Sequence, residues 1–225
     1  MTRNQIAASS LALGVLAAFL CFTTFSPSSH VKAQDNPESR IERGFEIAPV
    51  PLNMEGKDRG LVGLGSYLVN ASGGCNDCHS AGPQSEYLPG GNPYFGQPTK
   101  INPATYLGGG RDFGPLLPTP DSPHIVSRNL TPDKTGLPEG GHTFDQFREI
   151  LRTGVDFDHL HPPCSAGQTT NCLPPPFDGN KLQIMPWPEY QSLTEHDIRA
   201  IYEYLSAVPC IEGPPAPSVL HNDCQ

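Results

Sequence analysis

Apolar positions recur at helical spacing in three short stretches of this chain, separated by long polar segments rich in proline and glycine. From Lys57 to about Ser72, Leu61, Leu64 and Leu68 share one helix face, and Gly65 permits close approach of another backbone. Gly73-Gly74 ends that helix. A second helix is predicted from Thr143, where Gln146 completes a capping box and Phe144, Phe147, Ile150 and Leu151 form the apolar face. Gly154 stops it. A third is predicted from Glu195 to Val208, with Thr194 as N-cap and Asp197 in the positive first turn. Leu193 and Ile198 are placed there as a hydrophobic staple, and Ile198, Ile201, Tyr202 and Leu205 make the buried face. Residues 34–56 are polar, proline-bearing and aperiodic and read as a flexible leader or wrapping arm. Residues 80–142 and 155–184 read as loop, and residues 210–225 as a proline-rich tail.

The N-terminus carries a different pattern. Arg3 precedes a mostly apolar run from Ile6 to Phe25, and Val31-Lys32-Ala33 ends in a small residue suited to cleavage. Residues 1–33 therefore read as an export signal. The run approaches the ~20 residues that span a bilayer, so an uncleaved anchor is the alternative and the one route to membrane association. Ser9, Ser10, Thr23 and Thr24 weaken that option, and Cys21 goes with the discarded segment.

With 26 prolines and 23 glycines in 225 residues, such a chain buries a thin core, and a large apolar cofactor would make up the deficit. The formal charge is −9. Loss of Arg3 and Lys32 with the signal leaves 12 basic against 23 acidic side chains, a balance of −11. That surface repels nucleic acid and anionic lipid and would steer a basic patch on a partner. Six cysteines remain after the signal. In an oxidising compartment spare thiols pair, and local pairing gives Cys164–Cys172 and Cys210–Cys224. Their spacings match no common zinc pattern.

The other two cysteines carry the chemistry. Cys75-Asn76-Asp77-Cys78-His79 is the Cys-x-x-Cys-His signature of covalent haem attachment. Two thiols three positions apart on a helical turn reach the two vinyl groups of one haem, and the adjoining imidazole offers nitrogen to the iron. A thioredoxin-like redox pair would need a βαβ setting, and strand-like alternation is missing. Half a zinc site would need a second pair, and none with suitable spacing follows. The iron's other axial position calls for Met or His. Met54 sits in the polar leader, whereas Met185 lies in a loop before the last helix, flanked by Ile184, Pro186 and Trp187. Met185 is the expected ligand, with His159 and His161 the best of the histidine alternatives. Arg111 and the Trp187 indole are candidates for the haem propionates.

Gly65-Ser66-Tyr67-Leu68 ahead of the haem motif resembles the opening of bacterial class I cytochrome c domains. Asn129-Leu130-Thr131-Pro132-Asp133, Arg152-Thr153-Gly154, Met185-Pro186-Trp187 and the stretch from Asp197 to Leu205 are similar to the cytochrome c subunits of membrane-bound alcohol and gluconate dehydrogenases. The resemblance spans residues 57–209. It implies an all-α fold with crossed N- and C-terminal helices around one haem and a loop-rich insert, with the crossing near Gly65, Ile201 and Tyr204. It also implies His79 and Met185 as axial ligands. Those subunits carry three haem motifs; this chain has one.

The expectation is an exported, periplasmic mono-haem c-type cytochrome, a one-electron carrier and not an enzyme. Its partners would be redox proteins, a dehydrogenase donor and a terminal acceptor, with no nucleic acid. The alternative is a haem enzyme or gas-binding sensor with a labile distal ligand, against which Met185 argues.

Overall fold

The computed structural model describes residues 37–118, 124–157, 178–213 and 221–225. The export signal, the Cys164–Cys172 pairing, His159 and His161 lie outside the described residues. In chain order the helices are α1 (Pro37–Ile47), α2 (Arg59–Tyr67), α3 (Cys75–Cys78), α4 (Pro83–Glu86), α5 (Pro138–Gly141), α6 (Phe144–Thr153), α7 (Trp187–Tyr190) and α8 (Glu195–Leu205). A small antiparallel pair, β1 (Asp112–Pro115) with β2 (His124–Val126), interrupts the otherwise helical order. The fold is thus helix-rich with one two-stranded sheet, where a purely helical one is expected from the resemblance.

The three helices read from periodicity occupy their predicted stretches. In α6 both halves of the capping box form between Thr143 and Gln146, Phe147, Ile150 and Leu151 are buried, and left-handed Gly154 ends the helix. In α8 the Thr194 hydroxyl accepts from the Asp197 amide, and Ile198, Ile201, Tyr202 and Leu205 are buried. The first helix differs at its end. It is α-helical only to Tyr67, and Leu68–Ser72 widen into a π-helical turn closed by Gly73 N–H donating to the Leu68 carbonyl at 2.7 Å. Single π turns concentrate at functional sites, and this one delivers the chain to Gly74 and Cys75. Asn70 within it joins a buried network: the Tyr106 hydroxyl donates to Asn70 Oδ1 at 2.6 Å, and Asn70 Nδ2 donates to the Tyr204 hydroxyl at 3.1 Å.

Residues 37–56 are no flexible leader. Residues 37–47 form α1, which packs on α2 through glycines. A Cβ on Gly44 would stand 1.8 Å from the Gly63 carbonyl oxygen, and one on Gly63 would stand 2.7 Å from Ile41 and Phe45. The Ser66 hydroxyl donates to the Gly44 carbonyl at 2.7 Å, and the Arg59 guanidinium lies 4.2 Å from the Phe45 ring centre. Gly65 does the same on the opposite side of α2, where its Cβ would stand 1.9 Å from the Ala200 carbonyl oxygen of α8. Two residues of α-helix turn about 200°, so Gly63 and Gly65 open opposite faces of one helix to two neighbours. Met54 packs half-buried against the core.

The tail is held from within. A disulfide joins Cys210 and Cys224. Asn129 donates to the Ile211 carbonyl at 2.7 Å, and Asn222 to the Thr131 carbonyl at 2.8 Å. Asn129 and Thr131 are 2% and 0% exposed.

Candidate functional site

Cys75 and Cys78 sit at the two ends of α3, one helical turn apart, entered through left-handed Gly74. Neither is in a disulfide. Burial, then the neighbouring Cys78, pushes the Cys75 thiol up to about 12, and burial likewise raises Cys78. Thiols that exchange disulfides are held below their ordinary value, whereas burial raises both of these. Among the described residues no three of His, Cys, Asp and Glu come together in a metal-holding group, which leaves no tetrahedral zinc set.

His79 follows directly. Its Nδ1 lies 2.8 Å from the Arg128 carbonyl oxygen. A carbonyl only accepts, so Nδ1 carries the proton. Burial lowers the ring below its ordinary value and keeps it neutral, leaving the Nε2 lone pair for a metal. The glycine run ahead of Arg111 explains why the Arg128 carbonyl is in place. Gly109 N–H donates to the His79 carbonyl at 2.9 Å, and Gly110 N–H to Ser127 at 2.9 Å. A Cβ on Gly109, whose φ is +70, would stand 2.4 Å from the Arg128 carbonyl carbon. Only glycine allows those two backbones to touch there.

Met185 comes from a strained loop. Its N–H donates to the Gln183 carbonyl at 2.7 Å, while its own carbonyl accepts from Trp187 N–H at 2.8 Å. The first of these tight turns holds Ile184 at φ +67, rare for a β-branched residue and a mark of functional positioning. The loop is anchored at the end of α6: Leu182 N–H donates to the Gly154 carbonyl at 2.7 Å, and Lys181 Nζ to the Thr153 carbonyl at 2.6 Å. However long the preceding insert, the chain is brought back to α6 before Met185.

These residues surround one cavity of about 400 Å³, within the ~300–1,000 Å³ typical of small-molecule and cofactor sites. Cys75, Cys78, His79 and Met185 all line it. So do apolar side chains of all three periodic segments, among them Val69, Phe147, Leu151, Ile201 and Leu205. A haem would need apolar walls, two thiols, a neutral imidazole and a soft second donor. The lining offers each of these, so the residues fit the group.

The cavity also holds what periodicity and motifs did not single out: Tyr190, hydrogen-bonded to Cys75, and the polar trio Arg128, Glu139 and Asp156. His124 lines it too, paired with Asp112 at 2.8 Å. The two propionate candidates lie elsewhere. Arg111 donates to the Asp77 carbonyl beside the thiols, and Trp187 packs its indole on Gly154. Neither lines the cavity.

Just outside the thiol edge, buried Glu86 is pushed up to about 7, by burial first and by its hydrogen bond to Asp77 second. A carboxyl raised in the folded state binds more protons folded than unfolded between its ordinary 4.5 and about 7. Stability contributed at low pH therefore falls as pH rises through that window and levels off above it. Glu86→Gln flattens the fall, read as the denaturant midpoint from roughly pH 4 to 8.

A fructose dehydrogenase cytochrome subunit from Gluconobacter japonicus is 25% identical to this chain over 166 residues. The match takes in 72% of this chain but 24% of that subunit, so the chain spans about a quarter of its relative's length. It is a distant relationship to a cytochrome subunit. No family profile matches the chain. No solved structure matches it.

Proposed function

We propose that this chain is an exported, mono-haem c-type cytochrome that carries electrons one at a time in a periplasmic or respiratory dehydrogenase chain. One haem would be held through thioethers at Cys75 and Cys78, with His79 Nε2 and the Met185 sulfur as the donors to its iron. The observation that carries the reading is the convergence of the contiguous Cys75, Cys78 and His79 with Met185, more than a hundred residues further along the chain, on the wall of one apolar cavity. The haem, when bound, supplies one-electron iron chemistry.

The chain's own residues do the rest. The Arg128 carbonyl fixes the His79 tautomer and ring plane. The paired tight turns around Met185 direct its side chain. Val69, Phe147, Leu151, Ile201 and Leu205 exclude water, which favours the less charged, reduced state. No residue is assigned as acid or base, and substrate binding at iron has no place in the scheme. The relative belongs to a dehydrogenase, and a dehydrogenase donor with a basic docking patch suits the acidic surface.

The test is expression with an intact signal in a host that matures c-type cytochromes. The expected periplasmic product is red, lighter by residues 1–33 and heavier by one haem, with a reduced spectrum of low-spin iron. A colourless product of apoprotein mass overturns the reading.

A further inference from the structure

One polar patch interrupts the apolar wall of the cavity, and electron transfer as proposed makes no use of it. Arg128, Glu139 and Asp156 form it. Arg128 and Asp156 are ion-paired, with side chains 6% and 2% exposed. Glu139 stands outside that pair. It is buried, and its Oε2 has no hydrogen-bond partner among the described residues. Its backbone is left-handed, at φ 51 and ψ 57, a conformation disfavoured for residues other than glycine. Gly140 and Gly141, also at positive φ, continue the turn, and His142 N–H closes it on the Pro138 carbonyl at 3.0 Å. The Tyr202 hydroxyl of α8 in turn donates to the His142 carbonyl at 3.0 Å. The fold thus holds a buried carboxyl in a disfavoured conformation on the cavity wall, with no partner among the described residues for one of its oxygens.

We propose that Glu139 is a redox-linked proton site: for each electron that a one-electron donor delivers to the cavity, its carboxylate takes up one proton from solvent and becomes the neutral acid. The inference rests on the reading of the cavity as a haem site. One electron and one proton enter together, so the charge of the buried region does not change. The groups facing Glu139 set the balance. Arg128 from the 127–131 segment and His142 at the end of α5 favour the carboxylate, while Asp156 beyond α6 opposes it. Asp133, packed on Gly141, adds further negative charge nearby, and Tyr202 on α8 is neutral. Burial outweighs the attractions and holds the carboxyl above its ordinary value. Because Asp156 is ion-paired with Arg128, an added electron in this low-dielectric space acts on Glu139, a buried acid of the cavity wall outside that pair.

The experiment follows the midpoint potential of the haem-loaded protein against pH by spectroelectrochemistry. In wild type the potential falls with rising pH in a window above the ordinary carboxylate range, with a slope approaching ~59 mV per unit, the one-electron equivalent of each tenfold change in proton activity. In haem-loaded Glu139→Gln that window is flat. A wild type with no slope there overturns the inference. So does a variant that keeps the slope, since the propionates or His142 then carry the proton. The reduced-minus-oxidised infrared spectrum of wild type gives a second readout that needs no variant. A protonated carboxyl band, shifted in D2O, appears on reduction, and its absence overturns the inference. A wild-type product that carries no haem overturns the cofactor reading and this inference with it, whereas haem-loaded protein without the slope overturns the inference alone.

Discussion

Replacing Met185 by alanine leaves haem bound at Cys75 and Cys78, lowers the midpoint potential and admits carbon monoxide to the iron. Thioether sulfur is a soft ligand that prefers the reduced metal. Each tenfold loss in that preference lowers the potential by ~59 mV. Two or more such factors are expected, a drop beyond ~100 mV within the ~0.8 V that axial ligands span. In the proposed assignment attachment depends on Cys75 and Cys78 of α3 and not on the Met185 loop, so the haem mass is expected to be retained. The loop's geometry argues for a dedicated role. Ile184 is held at φ +67 and 49% exposed, an unfavourable setting for a β-branched apolar residue unless the next side chain must point one way. Spectroelectrochemistry and carbon monoxide titration check the outcome. An unchanged spectrum and potential would show another ligand. His124 is the one described histidine besides His79 that lines the cavity, and the Met185→Ala, His124→Ala pair then identifies it.

How much of this was legible in the chain depended on whether a contact is local. The caps and faces of α6 and α8 are written in residues within four positions of one another, and they were readable. The thiol pair and His79 are likewise one contiguous motif. Helix α1 was missed although Ile41, Phe45 and Ala48 have the right spacing, because Gly44 breaks the face and few apolar residues support it. What makes α1 a helix is the backbone contact of Gly44 with Gly63, a partner 19 positions away whose role no local pattern reveals. The orientation of His79 has the same character. It depends on a carbonyl 49 residues on, put in place by Gly109 and Gly110. Arg128 and Asp156 look like ordinary surface charges until the fold buries them together. Arg111, an anion-partner candidate by chemistry, donates to the Asp77 carbonyl and stacks 5.0 Å from the Phe113 ring centre, contacts no local pattern reveals.

Gly65→Ala is the substitution expected to damage the fold most for its size. In an exposed helix the change would gain about 1 kcal/mol, because alanine gives up less backbone freedom than glycine. Here the new Cβ would meet the Ala200 carbonyl oxygen at 1.9 Å and the Tyr204 Cβ at 2.7 Å. Neither obstacle is the end of a flexible side chain, so α2 and α8 must move apart. Overpacking typically costs about 1–3 kcal/mol, and a rigid backbone partner puts this case at or beyond the top of that range. The net loss is about 2 kcal/mol or more, a fall in Tm of roughly 4–8 °C for a domain of this size. Separation of the helices also loosens the Tyr106–Asn70–Tyr204 network that backs the turn into Cys75, so haem loading falls with stability. Gly60→Ala in the same helix is the control. Its Cβ meets only the Asp58 carboxylate at 3.1 Å and Ile41 at 3.8 Å, both able to yield, and its effect stays within about 1 kcal/mol. Urea midpoints of the two haem-loaded variants decide the matter: equal stability would mean that backbone contact at Gly65 is not what joins the first and last periodic helices.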